Sequence, residues 1–382
     1  MNARPVFLLA IFFALGACTR AAPPTIPTRE PTATLMLLDS STGDLDWSRD
    51  GKTIAYTKRT RDGYFDLWTM RADASQKQCL TCNKNFARRQ RGGIALRPQN
   101  DWIVLVAQND DAPDPGLAAL ASIGLNVNLW ALKTDGSLAS KLTDVPTDVR
   151  AARGVTQPRF SRDGKRLAWA EALGTASNTR ARAWGQWAIA LADFVIENNA
   201  PALKNIRRVQ LGAQHGFVAT HDWSPDDRAI LFSGNLQAGQ PVYASDLYEY
   251  AIATEDLTRL TRAPDDWDAH ARYSNDGKKI VWISSAGLNG AFPDLRATAW
   301  QSRLKTELWT MARDGSNRER LTFFNQPGAR DFEWFQKNVA PTNQVAVLNH
   351  AASPDGKKIL ANLAYAVETG STRFVLVMLD LE

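Results

Sequence analysis

The chain has 382 residues, 44% hydrophobic and 22% charged, with 45 Lys and Arg against 40 Asp and Glu. That balance excludes a disordered or collagen-like chain, and a net charge of +5 spread along the sequence gives no footprint for nucleic-acid binding. No apolar run reaches the roughly 18 residues of a membrane-spanning helix. The length suits two or three average domains or one large all-β domain, and 13 Trp with 24 Gly favour a β-rich repeat architecture.

Residues 1–17 read as a secretory signal. Arg4 supplies the positive start, Val6 to Gly16 form a short apolar core, and Leu15-Gly16-Ala17-Cys18 close the segment. This ending resembles the bacterial lipobox, which implies that Cys18 is lipidated and becomes the mature N-terminus. An ordinary signal peptide that ends near a cysteine is the alternative. Residues 18–33 are Pro- and Thr-rich without apolar periodicity, so they read as an extended stalk. Thr19, rather than Asp, follows the cysteine; in a Gram-negative host the sorting pattern then implies the periplasmic face of the outer membrane.

The body, residues 34–382, is repetitive. Leu45–Tyr56 (LDWSRDGKTIAY) sets an apolar approach, a Ser-x-Asp-Gly-Lys turn and an alternating apolar run in sequence. Related segments are Pro158–Trp169, Asp222–Phe232, Ala271–Trp282 and Ala351–Ala361, with a worn copy at Ala95–Leu105 where Arg97 replaces the serine. These six motif positions are 49 to 79 residues apart. A second element follows most of them: Asp66-Leu67-Trp68, Asn128-Leu129-Trp130, Asp246-Leu247-Tyr248 and Glu307-Leu308-Trp309. Asp-Gly-Ser turns at Asp135 and Asp314 come next, and a short run ends in Leu-Thr at Thr81, Thr143, Thr261 and Thr322. Asp-Gly between alternating apolar runs is a strong hairpin signal. Each unit therefore supplies four short antiparallel strands, A to D.

The pattern resembles the WD40-like (PD40) repeat of the TolB propeller family and covers nearly all of residues 34–382. The resemblance implies an all-β, six-bladed β-propeller. The last unit lacks a fourth strand, which Thr34–Leu38 can supply to close the ring. TolB carries an α/β domain ahead of its propeller, and related propeller peptidases carry a hydrolase domain behind it. Neither is expected here, so neither activity is carried over.

In such a blade, A–B and C–D turns share one face. The long connections Gln108–Val127, Ala170–Gln186, Ser284–Thr306, Cys82–Gly93 and Phe323–Asn349 share the other, which becomes the expected binding face. Strand A lines the channel. Three of the four His stand just before it, His221, His270 and His350, with Asp46, Asp222 and Asp268 nearby. Converging imidazoles can ligate a metal or a polar ligand, or each can simply bond a neighbouring blade. His221 and His350 precede their serine by three residues and His270 by four, so strict alternation sends His270 to the opposite side.

Cys79 and Cys82 read first as a disulfide in an exported protein; free thiols or metal and redox chemistry are the alternatives. Lys84, Arg88, Arg89 and Arg91 form a basic loop able to meet an acidic partner, or simply a solvated surface. Trp47, Phe160, Trp223 and Tyr273 precede the motif positions and read as wedges between blades. Trp184, Trp267, Trp300 and Trp334 lie outside the repeat frame, where they could stack on sugars or anchor a partner.

No Gly-x-Ser-x-Gly elbow, His-Glu-x-x-His pair or phosphate loop occurs. The expectation is a monomeric, non-catalytic scaffold for an envelope protein or glycan, without cofactor and touching the membrane only through its lipid. The alternative is a metal-dependent propeller enzyme similar to oligogalacturonate lyase, for which His350 with Gln344 is a partial match lacking that family's His-x-His pair.

Overall fold

The computed structural model describes residues 33–82, 90–112, 124–148, 153–174, 186–211, 216–240, 244–288, 304–367 and 371–381. The signal, Cys18 and the stalk up to residue 32 lie outside these, as do Lys84, Arg88, Arg89, Trp184 and Trp300.

Six four-stranded antiparallel sheets form the blades of a β-propeller. Strand β1 (Thr34–Ser40) is set apart for the last sheet. Blade 1 is β2 (Thr42–Trp47), β3 (Thr53–Arg59), β4 (Phe65–Arg71) and β5 (Gln78–Cys79), and blade 2 is β6 (Arg91–Leu96), β7 (Trp102–Gln108), β8 (Val127–Lys133) and β9 (Ala139–Lys141). Blade 3 is β10 (Gly154–Phe160), β11 (Arg166–Gly174), β12 (Gln186–Glu197) and β13 (Ala200–Val209), and blade 4 is β14 (Val218–Trp223), β15 (Ala229–Gly234), β16 (Asp246–Ala251) and β17 (Leu257–Arg259). Blade 5 is β18 (Asp268–Tyr273), β19 (Lys279–Ser284), β20 (Glu307–Ala312) and β21 (Glu319–Arg320). Blade 6 is β22 (Val345–Ala352), β23 (Lys358–Ala366) and β24 (Thr372–Asp380), completed by β1. Thr34 pairs with Asp380, which pairs in turn with Lys358, so the ring closes as the repeat count requires.

The two sequence signatures are hydrogen-bond devices. In the A–B turn of blade 1, Ser48 Oγ donates to Asp50 and accepts the Thr53 N–H, while Asp50 also accepts the Lys52 N–H. The same set recurs around Ser161, Ser224, Ser274 and Ser353. In blade 2 the substitute Arg97 holds Asp101 and donates to the Gly164 carbonyl of the next blade's turn. The Leu-Thr ending locks strand D to strand C. Thr322 Oγ1 accepts the Leu308 N–H at 2.9 Å and donates to Glu307 at 2.6 Å, and Thr81, Thr143 and Thr261 repeat the arrangement.

The core lies between blades. Trp223 is fully buried and donates to the Arg159 carbonyl of blade 3, Phe160 packs with Trp102 of blade 2, and Tyr273 bonds Glu249 of blade 4. Trp47 packs against Leu360 and Leu376 of blade 6, so each pre-motif aromatic wedges against the blade before it.

One element was not expected. The connection Phe323–Asn349 contains α1 (Arg330–Asn338), which buries Phe332 and Phe335, the latter against Phe324 and Tyr365. Nine residues carry too little periodicity to be separated from a loop. Of the four off-frame tryptophans, Trp334 on α1 and Trp267 are described, and both pack against core clusters.

A Thr322→Val variant removes the bond to buried Leu308 N–H and leaves Glu307 without its hydroxyl donor. The expected loss is about 1–3 kcal/mol, read as a lower midpoint of thermal unfolding, while Thr322→Ser stays close to the parent. Equal midpoints for all three proteins would remove the hydroxyl from the account.

Candidate functional site

Each inner strand shifts register once where it meets its neighbour: Thr42/Leu45, Gly92/Ala95, Thr156/Arg159, Thr220/Asp222, Ala269/Arg272 and Val347/Asn349. Such a bulge adds a residue and re-aims the side chains beyond it. In blade 2 the added turn is taken by Gly93, whose φ of +54° and close approach to Val106 suit glycine. In blade 5 it falls on His270 itself, at φ +51°.

That bulge corrects the expectation for His270. Strict alternation sends it away from the other two imidazoles, but its ring stacks on His221 with centroids 5.5 Å apart. His221 Nε2 accepts the His270 backbone N–H at 3.1 Å, and His350 Nε2 donates to the His270 carbonyl at 2.6 Å. These bonds fix the tautomers: His221 carries its proton on Nδ1, His350 on Nε2. The three histidines therefore join blades 4, 5 and 6. Burial, reinforced by Arg159 and Arg272, holds them neutral: His270 and His350 fall to about 3, and His221 well below its ordinary range.

This donor set does not fit a metal centre. Among the described residues, the three-residue group with ligand atoms within 4.8 Å of one another is Asp66, Cys79 and Cys82, and the three histidines do not form one. Cys79 and Cys82 are joined as a disulfide, so neither sulfur is a thiolate. Gln344 directs its amide to the Leu304 carbonyl. Two arginines beside the imidazoles further oppose a cation there.

Two other expectations change. Asp268 accepts a bond from Trp282 Nε1 inside blade 5, away from the axial acids, and burial pushes its carboxyl up to about 6. Arg91 is not part of an exposed basic loop; it is buried against Asp66 and Thr81.

The polar site that emerges includes two of the expected channel residues, Asp46 and Asp222, and adds arginines that were not singled out in the sequence. The residue two before each motif position faces the axis: Asp46, Ala95, Arg159, Asp222, Arg272 and Ala351 in blade order. They line a cavity of about 290 Å³ that opens on the face of the A–B turns, opposite the face with the long connections. Arg49 and Arg162, from Ser-Arg-Asp turns, stand at its mouth. With Lys279 that makes five cationic side chains against two carboxylates. The carboxylates are already engaged. Asp46 accepts the Leu96 N–H at 2.8 Å and stands 3.4 Å from Arg272; Asp222 accepts the Trp223 and Tyr273 N–H groups and stands 3.4 Å from Arg162.

Arg159 is 5% exposed and donates to the carbonyls of Ile94 and His221, with no carboxylate among the described residues within ion-pairing distance. Burial and the neighbouring Arg272 lower it to about 10. Arg49 is lowered by burial and by Arg162 across the mouth. A repeating register position that is acidic twice, basic twice and small twice could have revealed this ring in the sequence.

No protein-family model matches the chain, and neither does any curated protein. Solved structures that share its fold include TolB from Acinetobacter baumannii, with 15% identity and a TM-score of 0.50 over 85% of this chain and 63% of that one. The chain thus spans less than two thirds of that structure. A TolB structure from Agrobacterium tumefaciens gives 16% identity and 0.50, covering 89% of this chain and 90% of its own. A gluconolactonase from Xanthomonas campestris gives 14% and 0.51, covering 95% and 96%. The likeness is one of fold.

The buried groups make opposite pH predictions. Between about pH 6.5 and 3 the unfolded chain binds protons that the folded histidines refuse, so stability falls with pH in that window. His350→Gln keeps an N–H for the His270 carbonyl and is expected to flatten the acid loss of the unfolding midpoint; an unchanged slope would count against it. Asp268 binds its proton more tightly when folded, so its ionisation costs stability as pH rises from about 4 to 6. Asp268→Asn should then melt higher than the parent near neutral pH, with the gap closing at about pH 4.

Proposed function

We propose that this protein is an exported, lipid-tethered propeller that binds an envelope protein or glycan and performs no chemistry of its own. The observation that carries the reading is the axial cavity, with five cations set against two engaged carboxylates. Among them Arg159 is buried without an ion pair among the described residues, and a buried charge is costly unless an opposite one completes it. The reading therefore moves the binding face from the long connections to the tight turns, where ligand chemistry converges.

The tether rests on the Leu-Gly-Ala-Cys ending at Cys18 and the Pro-rich residues after it. The chain shares its fold with TolB structures and with a gluconolactonase, so fold alone does not separate binding from catalysis. The neutral, blade-joining histidines favour binding.

Wild-type protein is expected to incorporate radiolabelled palmitate and sediment with membranes, and Cys18→Ser to do neither. Cross-linking in intact cells should trap a partner that Arg49→Glu/Arg162→Glu loses. Turnover of acidic oligosaccharides or lactones by the purified protein, with divalent metal added, would overturn the non-catalytic reading.

A further inference from the structure

The axial cavity does not end at the ring of arginines. Its lining extends as an apolar slot at the junction of blades 5 and 6, formed by Val281, Leu321, Ile359 and Leu381. Val281, Leu321 and Leu381 are partly exposed although they pack against the core of blade 6. Thr310 and Lys279 also line the cavity. A cationic floor that opens into an apolar slot is a composite site, and each half constrains its occupant.

The floor asks for a compact planar anion. Arg159 and Arg272 approach the axis from the inner strands of blades 3 and 5, on either side of blade 4, Arg159 without an ion pair among the described residues and Arg272 with an Nη2 that makes no hydrogen bond and stands 3.4 Å from Asp46. Guanidinium groups in this situation suit a carboxylate, which accepts two parallel bonds. Arg49 makes no hydrogen bond or ion pair among the described residues and stands exposed at the mouth near Arg162, so the two present positive charge to an entering anion. The slot asks for an aliphatic or aromatic group and offers few bonds to hydroxyls, which disfavours a sugar. At about 290 Å³ the cavity accepts a small terminal group rather than a folded surface.

We infer that the cavity captures the free C-terminal carboxylate of an extended peptide whose last side chain is apolar, the carboxylate lying on Arg159 and Arg272 and the side chain in the slot between blades 5 and 6. This rests on the binding reading above and names the ligand chemistry of that same cavity.

The test uses full-length protein in detergent micelles and a fluorescein-labelled Gly-Ser-Gly-Ala-Leu peptide with a free carboxylate, followed by fluorescence anisotropy. Amidation of the C-terminus is expected to weaken binding by about tenfold or more, as is Arg272→Gln. Replacing the terminal Leu by Ser should weaken it by about tenfold. Arg49→Gln, at a side chain that holds nothing else, should weaken it several-fold and leave the unfolding midpoint unchanged. Binding should fall steeply with added salt. Equal binding of the acid and the amide would overturn the inference. So would an absence of peptide binding, or tighter binding of trigalacturonate in competition, which would assign the floor to an acidic sugar. A partner still trapped in cells while the peptide fails would sink this inference and leave the broader binding reading standing.

Discussion

The inner strands of a propeller splay around an axis and do not pair with one another as a ladder, so the ring must be joined by other means. Here side chains of one blade bond the backbone of the next. Asp44 and Asp46 of blade 1 accept N–H groups of Gly93 and Leu96 in blade 2. Arg159 of blade 3 reaches carbonyls on both sides, and Thr220 of blade 4 donates back to Gln157. Asp222 and His221 hold blade 5, His350 ties blade 6 to it, and Asn349 and Asn362 return to blade 1. The six bulges make this possible, because a strand in regular pairing does not turn N–H and C=O groups sideways.

The same arrangement sets the electrostatics. A side chain that joins blades is buried near the axis, and burial disfavours its charged form. Histidines comply by staying neutral, and the aspartates are compensated by backbone N–H groups. Arginine cannot comply, since its guanidinium keeps its proton. Arg159 is therefore structural in its bonds to carbonyls and unfinished in its charge. Architecture and ligand chemistry meet in this one residue.

Much of the fold was legible because its signals are local. Ser-x-Asp-Gly and Leu-Thr each describe a closed set of hydrogen bonds within a few residues or across one hairpin, so the blade count and the closing strand follow from the repeat. The site was less legible. The histidines were visible as rare residues at one strand end, but their geometry depends on a bulge, which changes the facing of everything beyond it and leaves no residue signature when its left-handed position is His270 rather than glycine. The arginines were hidden by familiarity, since Arg159 and Arg272 sit inside motif copies and read as ordinary variation. Helix α1 was missed because nine residues in a connection present hardly more than two turns.

The closing strand carries an orientation with it. Thr34 lies opposite Asp380 and Lys358, at the end of blade 6 where the Ser353 turn is found. Thr34 thus lies on the same face of the disc as the tight turns, at the outer edge of blade 6. Under the proposed lipidation of Cys18, the 15 residues between it and Thr34 span at most about 55 Å when fully extended. Under that proposal the strand end, and with it the face of the tight turns, stays within that layer above the membrane.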